Sequence, residues 1–82
     1  MQEDKTILTL ADLKLGDSAI ILSIDDENLA IQFMEMGCVP GEEITLQNQA
    51  PLGDPIAIKV AGYKLSLRKE DARHILVKKQ KK

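Results

Sequence analysis

Eighty-two residues are enough for one domain and too few for two, and 44% apolar with 29% charged residues is the composition of a chain that folds. No run approaches the roughly 20 apolar residues of a membrane span, the charged start Met1-Gln-Glu-Asp-Lys lacks the apolar core of a signal peptide, and the lone Cys38 cannot form an internal disulfide, so the expected compartment is the cytoplasm. The net charge of −2 is split between residues 68–82, with seven Lys or Arg against Glu70 and Asp71 (+5), and residues 1–67, with four against eleven acids (−7); this is an acidic body with a basic tail and argues against a nucleic-acid-binding face.

Residues 6–78 read as one domain, with 1–5 and 79–82 as flexible ends. Thr9 and Asp12 have the spacing of a capping box and predict a short helix through Leu13, closed by Gly16. Ser18 to Ile24 is rich in β-branched residues and predicts a buried strand. Its broken alternation leaves room for a bulge. Asp25 and Asp26 open the one amphipathic helix, expected over residues 26–36, with Gly37 and Pro40 as its stop. Leu29, Phe33 and Met36, with Ala30 and Met34, share helical spacing, and the ordinary role of such a stripe is core packing. With Phe33 and Tyr63 as the only aromatics, the core must come from Ile, Leu, Val, Met and Ala.

The second half reads as strands. Glu43 to Gln47 alternates through Ile44 and Leu46, and Pro51-Leu-Gly-Asp-Pro55 is turn composition. Ile56, Ile58 and Val60 alternate, as do Tyr63, Leu65 and Leu67 across the two-residue turn Ala61-Gly62, which predicts a hairpin. Lys69 to Arg73 suits a single helical turn. Ile75 to Val77 makes a last strand, with Lys78 to Lys82 trailing into solvent. The fold class is mainly β: a small five-stranded barrel that closes by pairing its first and last strands.

Four segments in this order resemble a known family. They are Thr9-Leu-Ala-Asp-Leu with Gly16; Met34-Glu-Met-Gly-Cys-Val-Pro-Gly41; Pro51-Leu-Gly-Asp-Pro-Ile56; and Gly62-Tyr-Lys-Leu-Ser-Leu-Arg-Lys69 with Ala72 and Ile75. Together they resemble the ferrous iron transport protein A family, over about Leu8 to Val77. The resemblance implies an SH3-like barrel and a cytosolic accessory role. The implied partner is ferrous iron transport protein B, a polytopic membrane protein with a cytosolic GTP-hydrolysing domain, which would hold the accessory at the inner membrane. In many relatives the helix carries arginines before the Met-Gly turn. Here Asp26 to Met36 contains none, so docking through a basic helix does not carry over to this chain.

Enzymatic chemistry is not expected. No Gly-x-x-x-x-Gly-Lys-Ser/Thr loop is present to hold GTP phosphates. Arg68 and Arg73 are the available arginine fingers, against the ordinary reading of solvated side chains. A cysteine nucleophile needs a positioned base, and nothing in the sequence brings His74 to Cys38. An enclosed metal site wants four Cys or His ligands, and the chain has two. The weak metal candidates are therefore His74, Glu70 at i−4 from it, and Cys38, for weak Fe2+ or adventitious Zn2+; no cofactor is expected. The lysine tail reads as a solubilising end, with contact to an anionic membrane face as its alternative.

Two functions of different class follow. The first is an adaptor that binds and modulates the GTPase-containing transporter. Two aromatics cannot line a proline-peptide groove, so docking is expected through apolar loop residues, with Val39, Leu52 and Tyr63 as the partner-binding candidates. The alternative is a metal-responsive regulatory module, because the same fold occurs in metal-dependent repressors, which carry their DNA-binding helices in an attached domain.

Overall fold

A computed structural model describes residues 7–80. Six strands lie in one antiparallel sheet: β1 (Ile7–Thr9), β2 (Ser18–Ile24), β3 (Glu43–Gln49), β4 (Ile56–Val60), β5 (Tyr63–Leu67) and β6 (Ile75–Lys79). They are ordered β1-β6-β2-β3-β4-β5. Helix α1 (Glu27–Glu35) joins β2 to β3, and the single turn α2 (Lys69–Ala72) joins β5 to β6.

The local signals act as chemistry requires. Asp12 accepts hydrogen bonds from the Thr9 N–H at 3.1 Å and hydroxyl at 3.0 Å, opening the 3-10 turn Leu10–Asp12. Asp26 caps α1 by accepting from the Leu29 N–H at 3.0 Å, and Gly37, at φ +79°, ends it in the left-handed region. Strand β2 is bulged between Ile21 and Ser23. The turn between β4 and β5 has positive φ at both central residues, Ala61 (+51°) and Gly62 (+83°), as a two-residue hairpin matched to strand twist requires.

The inward residues of the strands meet Leu29 and Phe33 of α1 in one core that also takes in Leu10, Leu13, Cys38 and Ala72. Among the described residues no charged or polar side chain is buried.

The structure corrects the sequence reading in three places. First, there are six strands, not five. The extra strand β1 is three residues long, too short for alternation to show, and it forms because β6 offers a free edge (Leu8 opposite Val77). The expected pairing of the Ser18–Ile24 and Ile75–Val77 strands is present, but the sheet stays open, with β1 and β5 as unpaired edges. Second, Met34 lies on the outer face of α1 and is exposed, as is Ile31. At 100° per residue both lie well over 90° from the Leu29–Phe33 axis, and only Met36 of the two methionines packs against the core.

Third, the last strand runs past Val77. Lys78 and Lys79 pair with Ile20 and Ala19, Gln80 N–H donates to Ser18 O at 3.0 Å, and Lys79 Nζ lies 3.5 Å from Asp17. Lys78 to Gln80 are therefore held to β2 and do not trail into solvent as expected, and residues 1–6 and 81–82 lie outside the described residues. The Asp17 carboxylate also accepts the Lys14 N–H at 2.8 Å. That bond chiefly, with the charge of Lys79, holds its pKa below the ordinary aspartate value against the opposing effect of desolvation.

A carboxyl whose pKa is lower folded than unfolded stabilises the fold above its unfolded pKa and loses that contribution as pH falls through the folded value. Asp17→Asn is therefore expected to lower the urea midpoint at neutral pH, with the gap to the parent chain closing as pH drops below about 4. A gap independent of pH would show that the charge contributes nothing.

Candidate functional site

The residues proposed for metal binding are not brought together. Cys38 is fully buried in the turn after α1, its N–H bonded to Phe33 O at 2.8 Å, and burial followed by the charge of Glu42 pushes its thiol pKa up. His74 is half-buried and lines a surface recess of about 480 Å³ with Thr9, Ser23, Asp25, Arg73 and Leu76, to which neither Cys38 nor Glu70 contributes. Glu70 is exposed on α2. The i, i+4 alignment with His74 fails because the helix ends at Ala72 and the His74 N–H bonds back three residues, to Asp71 O at 3.0 Å. Among the described residues no group of three or more His, Cys, Asp or Glu is placed to hold a metal ion.

A buried thiol held in its protonated form is a poor nucleophile. Ellman's reagent at neutral pH should label Cys38 only as fast as the domain opens, and at the rate of a free thiol in denaturant. Rapid labelling of the folded chain would contradict this burial.

The two arginines occupy separate places. Arg68 precedes α2 beside Asp54 and Pro55, and Arg73 lines the His74 recess. Both are exposed.

The partner-binding candidates are all exposed: Leu52 at 96%, Tyr63 at 51% and Val39 at 37%. They do not form one patch. Val39 lies in the turn entering β3, and Tyr63 starts β5 opposite Val60, which itself pairs with Ile44 near the start of β3. Leu52 tips the loop at the other end of β3. Seven extended residues separate the two ends by about 20 Å. Strand β5 runs from one of these ends toward the other: it begins at Tyr63, and two residues past its end the Lys69 N–H donates to Asp54 Oδ1 of the Leu52 loop at 3.0 Å.

The sequence reading overlooked this free edge. Its signal was the hairpin itself, since β5 follows β4 and is then led away by α2. Among the described residues no helix is long and apolar enough to cross a membrane.

Comparison with known proteins fits this geometry. The FeoA domain model matches residues 8–79. The chain belongs to the FeoA family. This FeoA domain is 38% identical over 71 residues to a curated Fe(2+) transport protein A/Fe(2+) transporter FeoB fusion protein of Porphyromonas gingivalis; the match takes in 85% of the chain and 8% of the fusion protein's length.

Among solved structures, FeoA of Chlorobium tepidum superposes with a TM-score of 0.84 at 32% identity, over 90% of this chain and 71% of that one. The Stenotrophomonas maltophilia FeoA, an SH3 domain protein solved with zinc, gives 0.75 at 31% identity over 85% and 88%. The SH3-like class is thereby established, as an open six-stranded sheet. The likeness to T. acidophilum IdeR, TM-score 0.76 at 18% identity over 98% of this chain and 37% of that one, shows shared fold alone. Membership of FeoA links the chain to ferrous iron transport.

Proposed function

We propose that this FeoA domain is a cytoplasmic accessory that binds the cytosolic, GTP-hydrolysing part of a B-type ferrous-iron transporter and modulates it. It would sit at the inner membrane through that partner, with no nucleic acid as ligand. The observation that supports this most is the Porphyromonas gingivalis relative, in which a homologous domain shares a chain with the transporter. Fusion raises the local concentration of one module at the other to the millimolar range for short linkers, which benefits two modules that work in contact. Exposed apolar side chains at Leu52, Tyr63 and Val39 supply docking groups. In this reading the domain carries no cofactor, and any Fe2+ or Zn2+ at His74, Glu70 or Cys38 is weakly held.

The test is calorimetric titration of the chain against the isolated GTPase domain and against the whole transporter in nanodiscs, with GTP turnover followed in parallel. Binding to at least one, with a change in turnover, is the expected result. Absence of binding to both defeats the proposal.

A further inference from the structure

The β4–β5 hairpin fixes which backbone groups of the edge strand are free. In a two-residue hairpin the closing pair, here Val60 and Tyr63, exchanges both of its backbone hydrogen bonds, and such pairs alternate along an antiparallel ladder. Tyr63, Leu65 and Leu67 therefore point their N–H and C=O groups at β4, opposite Val60, Ile58 and Ile56. Lys64 and Ser66 point theirs outward. Among the described residues neither group has a backbone partner, and no strand lies beyond β5.

The side chains along this edge are also incomplete. On the outer face a row crosses the sheet from Ser18 to Thr45, Lys59 and Lys64. Ser18 and Thr45 satisfy each other with a hydroxyl hydrogen bond of 3.0 Å. Lys59 and Lys64 stand directly opposite, a like-charge arrangement that disfavours the pair, and neither has a carboxylate within ion-pair distance among the described residues. On the inner face Leu65 and Leu67 are only partly covered, and Tyr63 is half exposed.

We infer that the β5 edge receives an extended segment of a partner protein as a seventh strand. The segment carries an Asp or Glu opposite Lys64 and apolar residues on either side of it. Its backbone takes up the free groups of Lys64 and Ser66. Its carboxylate ends the unpaired Lys59–Lys64 row, and its apolar neighbours, on the other face by the period of two, cover Tyr63 and Leu65. It would span the interval between Tyr63 and the Leu52 loop, linking two candidates that are otherwise far apart. Identifying the partner as the transporter rests on the function proposed above.

A lysine on an edge strand commonly serves to block self-pairing, and here it does that too. Antiparallel registers of β5 with a second copy that use these free groups set Lys64 opposite another Lys64, opposite Arg68, or opposite Ser66 with the two Lys64 side chains diagonal to each other, so like charges come together in each. The same charge that rejects a second copy selects an acidic strand.

The test uses the ¹⁵N-labelled full chain with the transporter's isolated GTPase domain and with the whole transporter in nanodiscs. On binding, the Lys64 and Ser66 amides should become protected from hydrogen exchange. Lys64→Glu, an exposed change that leaves the core untouched, should weaken binding roughly tenfold or more, as like charges do when set against each other. Ser66→Pro, which removes an N–H that β4 does not use, should weaken it comparably. Full-strength binding by Lys64→Glu with Lys64 and Ser66 amides exchanging as in the free chain overturns the edge inference and leaves the accessory function standing. No binding by the parent chain to either preparation overturns both.

Discussion

Phe33→Ala is expected to remove about 3–5 kcal/mol of stability, the range for truncating a buried aromatic. Phe33 is 1% exposed, is the only aromatic in the core, and ties α1 to the sheet together with Leu29 and Met36. A nine-residue helix has no stability of its own in water, so α1 persists only through these three side chains. Stabilities of 0.05–0.15 kcal/mol per residue give a domain of this size about 4–12 kcal/mol in total. The loss therefore takes about a quarter of the total or more. Met34→Ala, one residue along and on the solvent face, should change stability by less than about 0.5 kcal/mol. Urea unfolding of both variants measures the contrast. A Phe33→Ala cost below about 1 kcal/mol would mean that the helix is not anchored as the structure shows.

That contrast also marks where the sequence was legible. Signals completed within a few residues were readable: the Thr9–Asp12 pair, the Asp26 cap, the broken alternation within Ser18 to Ile24, and Ala61-Gly62 between two alternating runs. Each depends on backbone geometry that neighbouring residues determine. The inward face of α1 was partly readable, since Leu29, Phe33 and Met36 keep helical spacing, but apolarity alone put Met34 with them. Only the direction from which the sheet approaches shows that Met34 and Ile31 face out.

What was illegible is what long-range pairing decides. β1 exists because β6 has an edge to fill, and β6 continues through Lys78 and Lys79 because β2 pairs with it and Asp17 meets the second lysine. Neither fact is written in residues 7–9 or 78–79. The candidate site suffered most. Val39, Leu52 and Tyr63 were chosen as apolar residues in turns or at a strand start, and that criterion carries no information on whether three turns lie at the same end of a sheet. The pairing of Ile44 with Val60, and of Val60 with Tyr63, separates Leu52 from the other two and makes the β5 edge the path between them.

Leu52→Asp is expected to be the most damaging single change to transporter binding, costing about 2 kcal/mol or more, as a buried interface anchor does. The area each side chain still has to bury sets the order. Leu52 is 96% exposed at the tip of its loop, so docking can withdraw nearly the whole side chain from water, worth about 1.5–3 kcal/mol for leucine. Aspartate at the same place forfeits that gain and adds the cost of desolvating a charge. Val39, at 37% exposure, has given up most of its area to the fold already, so Val39→Asp should cost binding about 1 kcal/mol or less. Tyr63 lies between them, with half its surface still to bury and a ring that gains contact at little entropic cost. Calorimetric titration of each variant against the GTPase domain gives the order directly, 1.4 kcal/mol corresponding to tenfold in Kd. Circular dichroism of each variant alone separates lost docking from lost folding; this matters more for Val39, which follows the fully buried Cys38, than for Leu52, which is almost wholly exposed. A stronger effect at Val39 than at Leu52, with both variants folded, would move the docking surface to the opposite end of the sheet and away from the loop that Asp54 holds to Lys69.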